Sequence, residues 1–260
     1  MNEMGKPVGF SRQRVIPAKR KRSPGFGQRF LPPFSAWTVL TAGSLTNSFL
    51  RWNMAHGMIG SANKDFKEIR MDNMRIKTDR LILRKFEKGD MQAIYLLFGD
   101  KEVNTFLPWY PVKDRIEAKD FFEKRLKDKK YCFAICLKDD DCPIGYVHAE
   151  EDDSHDFGYA LRKEYWHQGI VSEASNAVIE FLKEEGIPYI TATHDKNNPR
   201  SGAVMRRIGM KYCYSYKEQW QPKNFLVVFR MYQLNLDGQK NRVYQKYWNL
   251  YNEHFIEGDI

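Results

Sequence analysis

Two short stretches concentrate the residue types that can do chemistry. Glu150, Glu151, Asp152, Asp153 and Asp156 are five carboxylates close together. Such groups either take a proton from an amine and attract its cationic form, or form a solvated acidic hairpin turn. The second stretch, Glu164-Tyr165-Trp166-His167-Gln168-Gly169-Ile170-Val171, runs straight into an amphipathic pattern beginning near Ser172. A glycine-bearing loop that opens a helix offers free backbone N–H groups and the positive end of the helix dipole. Together these suit a phosphate or pyrophosphate. Neither a Walker A pattern nor GxGxxG is present, so the loop supports neither ATP nor NAD. His148, His155 and His167 read as surface or packing histidines, and no metal site is apparent.

The elements that must position these residues follow from periodicity. Leu81, Ile82 and Leu83 form an extended run, and Asp90 then stands as N-cap before Met91, Ile94, Leu97 and Phe98. A second amphipathic helix after Pro111 carries Ala118, Phe121, Phe122 and Leu126 on one face and charges on the other. Tyr131–Leu137, Pro143–Ala149 and Phe157–Leu161 read as a three-stranded antiparallel meander. The helix after the loop holds Ala174, Ala177, Val178, Phe181 and Leu182 on one face and stops at Gly186 and Pro188. A strand over 189–193 follows. Asn198 as N-cap and Pro199 in the first helical position then mark a helix that ends at Gly209. Strands over 211–216 and 225–232 come next, and Tyr244, Tyr247, Trp248, Tyr251 and Phe255 recur at helical spacing. That aromatic stripe packs on the core or on a partner subunit, so a homodimer is compatible with it. The order β-α-α-β-β-β-α-β-α-β-β is an α+β arrangement, with helices covering a mixed, largely antiparallel sheet.

Composition bounds the rest. The chain has 260 residues, 42% apolar content and a formal charge of +9, which excludes collagen-like, coiled-coil and wholly disordered classes. Ten basic residues and one acid lie in the first 64 positions, so the whole +9 sits there and the remainder is neutral. Residues 1–73 lack an apolar face and are punctuated by Pro and Gly, and a basic, disordered leader is expected there. Its Lys19-Arg20-Lys21-Arg22 run could touch nucleic acid or direct localisation, and the leader could be a transit peptide; a simply solvated run is the plainer reading. Met71 and Met74 precede the first patterned segment, which also raises a start near Met74. Cys132, Cys136, Cys142 and Cys213 show no zinc spacing and read as reduced core thiols of a cytoplasmic protein. No apolar run is long enough for a membrane span.

Residues 78–236 resemble the GNAT superfamily of acyl-CoA N-acetyltransferases, nearest the ribosomal-protein alanine acetyltransferases of the RimJ/RimL type. Four blocks carry the likeness. They are Thr78-Asp79-Arg80-Leu81-Ile82-Leu83-Arg84; Phe157-Gly158-Tyr159-Ala160-Leu161; the loop from Tyr165 to Ala174; and the run from Asn198-Pro199-Arg200-Ser201-Gly202 through Met205 to Gly209-Met210. The resemblance implies one domain over residues 74–260, with acetyl-CoA held between two splayed central strands, Phe157–Leu161 and 189–193. It places the pantetheine arm on backbone near Leu161 and the pyrophosphate on the loop of Trp166, His167, Gln168, Gly169, Ile170, Val171 and Ser172. Asn198 and Ser201 match positions that touch the cofactor or hold its helix. Trp166 and Val171 depart from the superfamily's usual loop residues. The tyrosine that often protonates the departing thiolate, seven residues after the Asn, is replaced by Met205.

The activity so implied is transfer of acetyl from acetyl-CoA to a primary amine, either a protein N-terminus or a small molecule, by direct attack. Asp156 matches the acidic position before the family's Gly-Tyr and is the first choice of base; Glu150, at the end of the preceding strand, is the second. The alternatives are a CoA-binding regulatory domain without catalysis and an enzyme that associates with nucleic acid through its leader. A nucleic-acid partner is not expected of the neutral region.

Overall fold

The computed structural model describes residues 74–258 and residue 260. The leader expected over residues 1–73 lies outside the described residues. Strands β1 (Arg75–Lys77) and β2 (Leu81–Arg84) precede helix α1 (Met91–Gly99). Asp90 stands at the N-cap of α1, but its side chain does not cap that helix; it accepts the Glu87 amide at 2.8 Å in the turn before it. The carboxylate is also committed to the Arg84 guanidinium at 2.8 and 2.9 Å. Both side chains are buried, and a buried charge needs its counter-charge more than a helix needs its cap.

Helix α2 (Arg115–Phe121) is capped by Asp114, which accepts the amides of Ile116 and Glu117. It runs on into a π-turn over Phe122–Leu126. Strands β3 (Tyr131–Leu137), β4 (Pro143–Ala149) and β5 (Phe157–Leu161) follow, and β1 to β5 form one antiparallel sheet in sequence order. Period-two alternation gives β3 two apolar faces. Phe133 and Ile135 pack with helix α3 (Ile170–Glu184), whereas Cys132, Ala134 and Cys136 pack with α1 and α2.

Helix α3 begins at Ile170, two residues before the expected Ser172. Gly169 at φ +74° makes the turn that starts it, and Ile170 is already buried in the core. Strand β6 (Tyr189–Asp195), helix α4 (Pro199–Arg207), β7 (Lys211–Trp220) and β8 (Phe225–Asn235) then appear in the expected order, with longer strands. The second sheet is ordered β6-β8-β7-β9, where β9 is His254–Phe255.

The helical reading of the aromatic tail is corrected. Only Lys246–Leu250, helix α5, is helical. Phe255 lies in β9 opposite Ser215, because the edge of β7 offers unpaired backbone groups that an extended segment can satisfy. The tail aromatics pack on β7: Tyr251 stacks on Tyr216 with centroids 4.6 Å apart, and Tyr244 and Trp248 close the same cluster. Of the four free cysteines, Cys132 and Cys136 are buried, but Cys142 is exposed, so not all are core thiols.

Candidate functional site

The two sheets meet between β5 and β6. A single parallel bridge joins Asp156 to Thr191, and beyond it the strands belong to different sheets. On the β4 side, Asp156 O accepts the Glu150 amide and the Arg162 amide donates to Ile144 O. Alternation along an antiparallel edge therefore turns the peptide groups of Phe157, Tyr159 and Leu161 toward β6 and into the widening gap. The gap opens a cleft of about 1360 Å³ that reaches from the loop before α3 to the aromatic tail. The splay of these two strands that the resemblance implies is thus present in the fold.

At the wide end, His167 (φ +62°) and Gly169 (φ +74°) both adopt left-handed backbone. The first helical bond of α3 runs from the Glu173 amide to Gly169 O at 3.0 Å, which leaves the amides of Ile170, Val171 and Ser172 without helical acceptors. The loop is strapped from outside. Glu173 accepts from the Arg80 amide at 3.0 Å, from Arg80 Nε at 2.7 Å and from the Thr78 hydroxyl, and Arg80 also donates to Gln168 O at 3.1 Å. Those bonds hold the Glu173 carboxyl below its ordinary range against the opposing effect of burial. Gln168 turns its side-chain amide back to Glu164 O. Trp166 donates its indole N–H to Leu161 O at 2.7 Å, so at Leu161 the amide, not the carbonyl, faces the gap free. Val171 leans on the core.

Across the gap, Asn198 caps α4 by accepting the Ser201 amide at 3.4 Å. The Tyr159 phenol donates to Ser201 O at 2.9 Å and meets Ser201 Oγ at 3.1 Å, and burial raises its pKa. Sequence reasoning missed this tie between β5 and α4, since no local pattern announces it. Met205 is buried in the core, with 2% exposure, rather than presented as a polar group.

The acids divide at the narrow end. Glu151, Asp152 and Asp153 are exposed in the turn. Asp156 is not. Its Oδ1 is buried without a hydrogen-bond partner, and burial, reinforced by Glu150 and Asp152, raises its carboxyl to about 7. Glu150 lies just past the end of β4, ion-paired to Lys129 Nζ at 2.6 Å and 3.6 Å from His148 Nδ1. His148 lines the cleft, and burial lowers its imidazole to about 4, which keeps it neutral near pH 7. Tyr216, Tyr247 and Tyr251 line this end together with Glu218, whose carboxyl burial raises. These aromatics come from β7 and the tail, far along the chain from Asp156, and no spacing links them. A buried carboxyl titrating near neutrality in an aromatic cleft is poised to accept a proton. Among the described residues no group of three His, Cys, Asp or Glu side chains could hold a metal ion, and no helix is long and apolar enough to cross a membrane.

The chain is similar to known proteins in sequence and fold. Residues 80–211 match the model of the Acetyltransferase (GNAT) domain. YnaD of Bacillus subtilis (strain 168), an uncharacterized N-acetyltransferase, is 31% identical over 165 residues, covering 60% of this chain and 96% of that protein. An acetyltransferase (GNAT family) from Bacillus anthracis superposes with a TM-score of 0.57 at 25% identity, over 63% of this chain and 99% of its own. RimL, a ribosomal alpha-N-protein acetyltransferase solved in complex with coenzyme A, shares the fold with a TM-score of 0.53 at 18% identity, over 64% of this chain and all (100%) of its own.

Proposed function

The chain belongs to the GNAT acetyltransferase family, and on that premise we propose that residues 74–260 form one N-acetyltransferase domain that moves the acetyl group of acetyl-CoA to a primary amine. The observation that carries this reading is the gap between β5 and β6, which has free helix-start amides at one end and the buried Asp156 carboxyl at the other. The loop from Trp166 to Ser172 suits the pyrophosphate, and the amides of Tyr159 and Leu161 suit the pantetheine arm. Asn198 and Ser201 hold the wall facing it. The cofactor supplies an acetyl thioester.

An amine near pKa ~10 is protonated at neutral pH and has no lone pair. Asp156 takes its proton at the carboxylate, and Glu150, one strand over, adds negative charge that favours the cationic amine's approach. With acetyl-CoA in place, the nitrogen would bond to the acetyl carbon as the carbon–sulfur bond breaks, and its second proton would pass to solvent. A backbone amide of β5 serves the oxyanion. Met205 supplies no acid, so the thiolate leaves as an anion or takes solvent's proton. The relation to the RimJ/RimL type rests on the quoted blocks and on the RimL fold likeness. It leaves protein N-termini and small amines both as acceptors.

Release of free thiol from acetyl-CoA across a panel of primary amines tests the reading. Cofactor binding without turnover on any amine favours a CoA-binding regulatory domain instead.

A further inference from the structure

A second cavity, of about 410 Å³, lies beside the narrow end of the cleft, and the two share Trp109, Arg125, Tyr146, His148 and Glu150 as walls. Arg125 stands in the π-turn, whose defining bond runs from the Lys127 amide to Phe122 O at 3.0 Å. Such turns depart from regular helix and recur at functional sites. The guanidinium lies over the rings of Trp109 and Phe121, 5.7 and 6.0 Å from their centroids. Its basic neighbours all hold carboxylates: Lys124 holds Asp120 at 2.8 Å, Lys127 holds Glu123 at 2.8 Å, and Lys129 holds Glu150 at 2.6 Å. Arg125 holds none among the described residues. An aromatic-backed guanidinium with unused donors is shaped to take a planar or tetrahedral anion.

The geometry points to a subsite for an anionic group on the acceptor, so that the acceptor is a small zwitterion carrying both a primary amine and a carboxylate or phosphate. This rests on the acetyl-transfer reading of the cleft. The amine faces Asp156 and Glu150, the anion faces Arg125, and an apolar body lies against Trp109 and Tyr146. A plain cationic amine would meet Asp156 and Glu150 but would leave the exposed Arg125 guanidinium without an anion. A protein N-terminus follows its amine with a neutral peptide group and leaves Arg125 unmatched. The volume suits a ligand of modest size.

Matched acceptor pairs test it with the full-length protein. Phenylalanine against 2-phenylethylamine varies a carboxylate, and phosphoethanolamine against ethanolamine varies a phosphate. Thiol release gives kcat/KM for each, and calorimetry on CoA-saturated protein gives affinity. The anionic member of at least one pair should be preferred by about 10- to 100-fold, the range of a charge-assisted hydrogen bond. Arg125→Gln should collapse that preference, Arg125→Lys should keep part of it, and Lys127→Gln should leave it intact. Equal or better use of the plain amines in both pairs, or a preference that survives Arg125→Gln, overturns the subsite. If no acceptor releases thiol, the acetyl-transfer reading falls on its own assay, and the pairwise affinities still decide the subsite.

Discussion

Asp156 and Thr191 pair in a single parallel bridge, and the strands that leave it diverge into separate sheets. The bridge is therefore the apex of the gap, and it fixes the Asp156 backbone where two sheets pull apart. Its carboxyl lies beneath the Tyr216 and Tyr247 side of the cleft, and the charge of Asp156 contributes to the raised pKa of both phenols, after burial. A carboxyl at an apex is positioned by two sheets at once.

Asp156→Asn should lower turnover by about 10²- to 10⁴-fold while leaving acetyl-CoA affinity nearly unchanged. In the wild type, kcat/KM should rise with pH through about 7, the value to which burial brings this carboxyl. A folded-state pKa above the unfolded one means that the ionised form costs stability. That cost grows as pH rises from about 4 to 7. Asp156→Asn should therefore melt higher than the wild type at pH 8, with the difference vanishing below pH 4. Wild-type turnover, or no stabilisation at pH 8, would show that another group is the base.

The local order was readable because each element carries its own period or cap: the meander at β3 to β5, the Gly169 entrance to α3, and the Asn198-Pro199 entrance to α4. What escaped was set at long range. The resemblance picks out Asp156, but its burial, which no local pattern shows, is what separates it from Asp153, three positions away in an exposed turn. The aromatics of the tail kept a helical spacing although the segment crosses from α5 into β9. There, the demand of an open sheet edge outweighs a short periodic pattern.

The strap on the phosphate-ready loop makes its own prediction. Glu173 is near the start of α3, where its charge would oppose a bound pyrophosphate unless neutralised; Arg80 neutralises it, and the Thr78 hydroxyl donates to it. Arg80→Ala should weaken acetyl-CoA binding by about 5- to 20-fold, with a smaller effect on kcat at saturating cofactor. Calorimetric titration with CoA reads it directly. Unchanged affinity would mean that the loop holds its shape without the strap.

Gly158 is required by a close approach rather than by its backbone angles. A Cβ there would lie 2.2 Å from His148 Nε2 across the β4–β5 pair. Gly158→Ala should destabilise the fold by about 1–3 kcal/mol through overpacking. It should also displace the imidazole that lines the cleft. Pairing it with His148→Ala should recover most of that stability in denaturant unfolding. If the double variant is no more stable than Gly158→Ala alone, the clash is not the cause.

The tail is tied down by a carboxylate. Glu257 accepts from Arg230 Nε at 2.9 Å, from the Ser215 hydroxyl at 2.6 Å and from Lys196 Nζ at 3.1 Å, and its amide donates to the Tyr212 hydroxyl. The Arg230 hydrogen bond is the main reason its carboxyl falls to about 2, against the opposing effect of burial. A depressed folded-state value means stability that is present above the unfolded value of about 4.3 and is lost as pH falls toward 2. Glu257→Gln should therefore cost on the order of 1–3 kcal/mol at pH 7, and the gap to wild type should narrow as pH is lowered from 5 to 3. Because the tail carries Tyr247 and Tyr251 into the cleft wall, the same variant should raise the KM for the amine more than the KM for acetyl-CoA. A pH-independent stability loss with both KM values unchanged would separate the latch from the site.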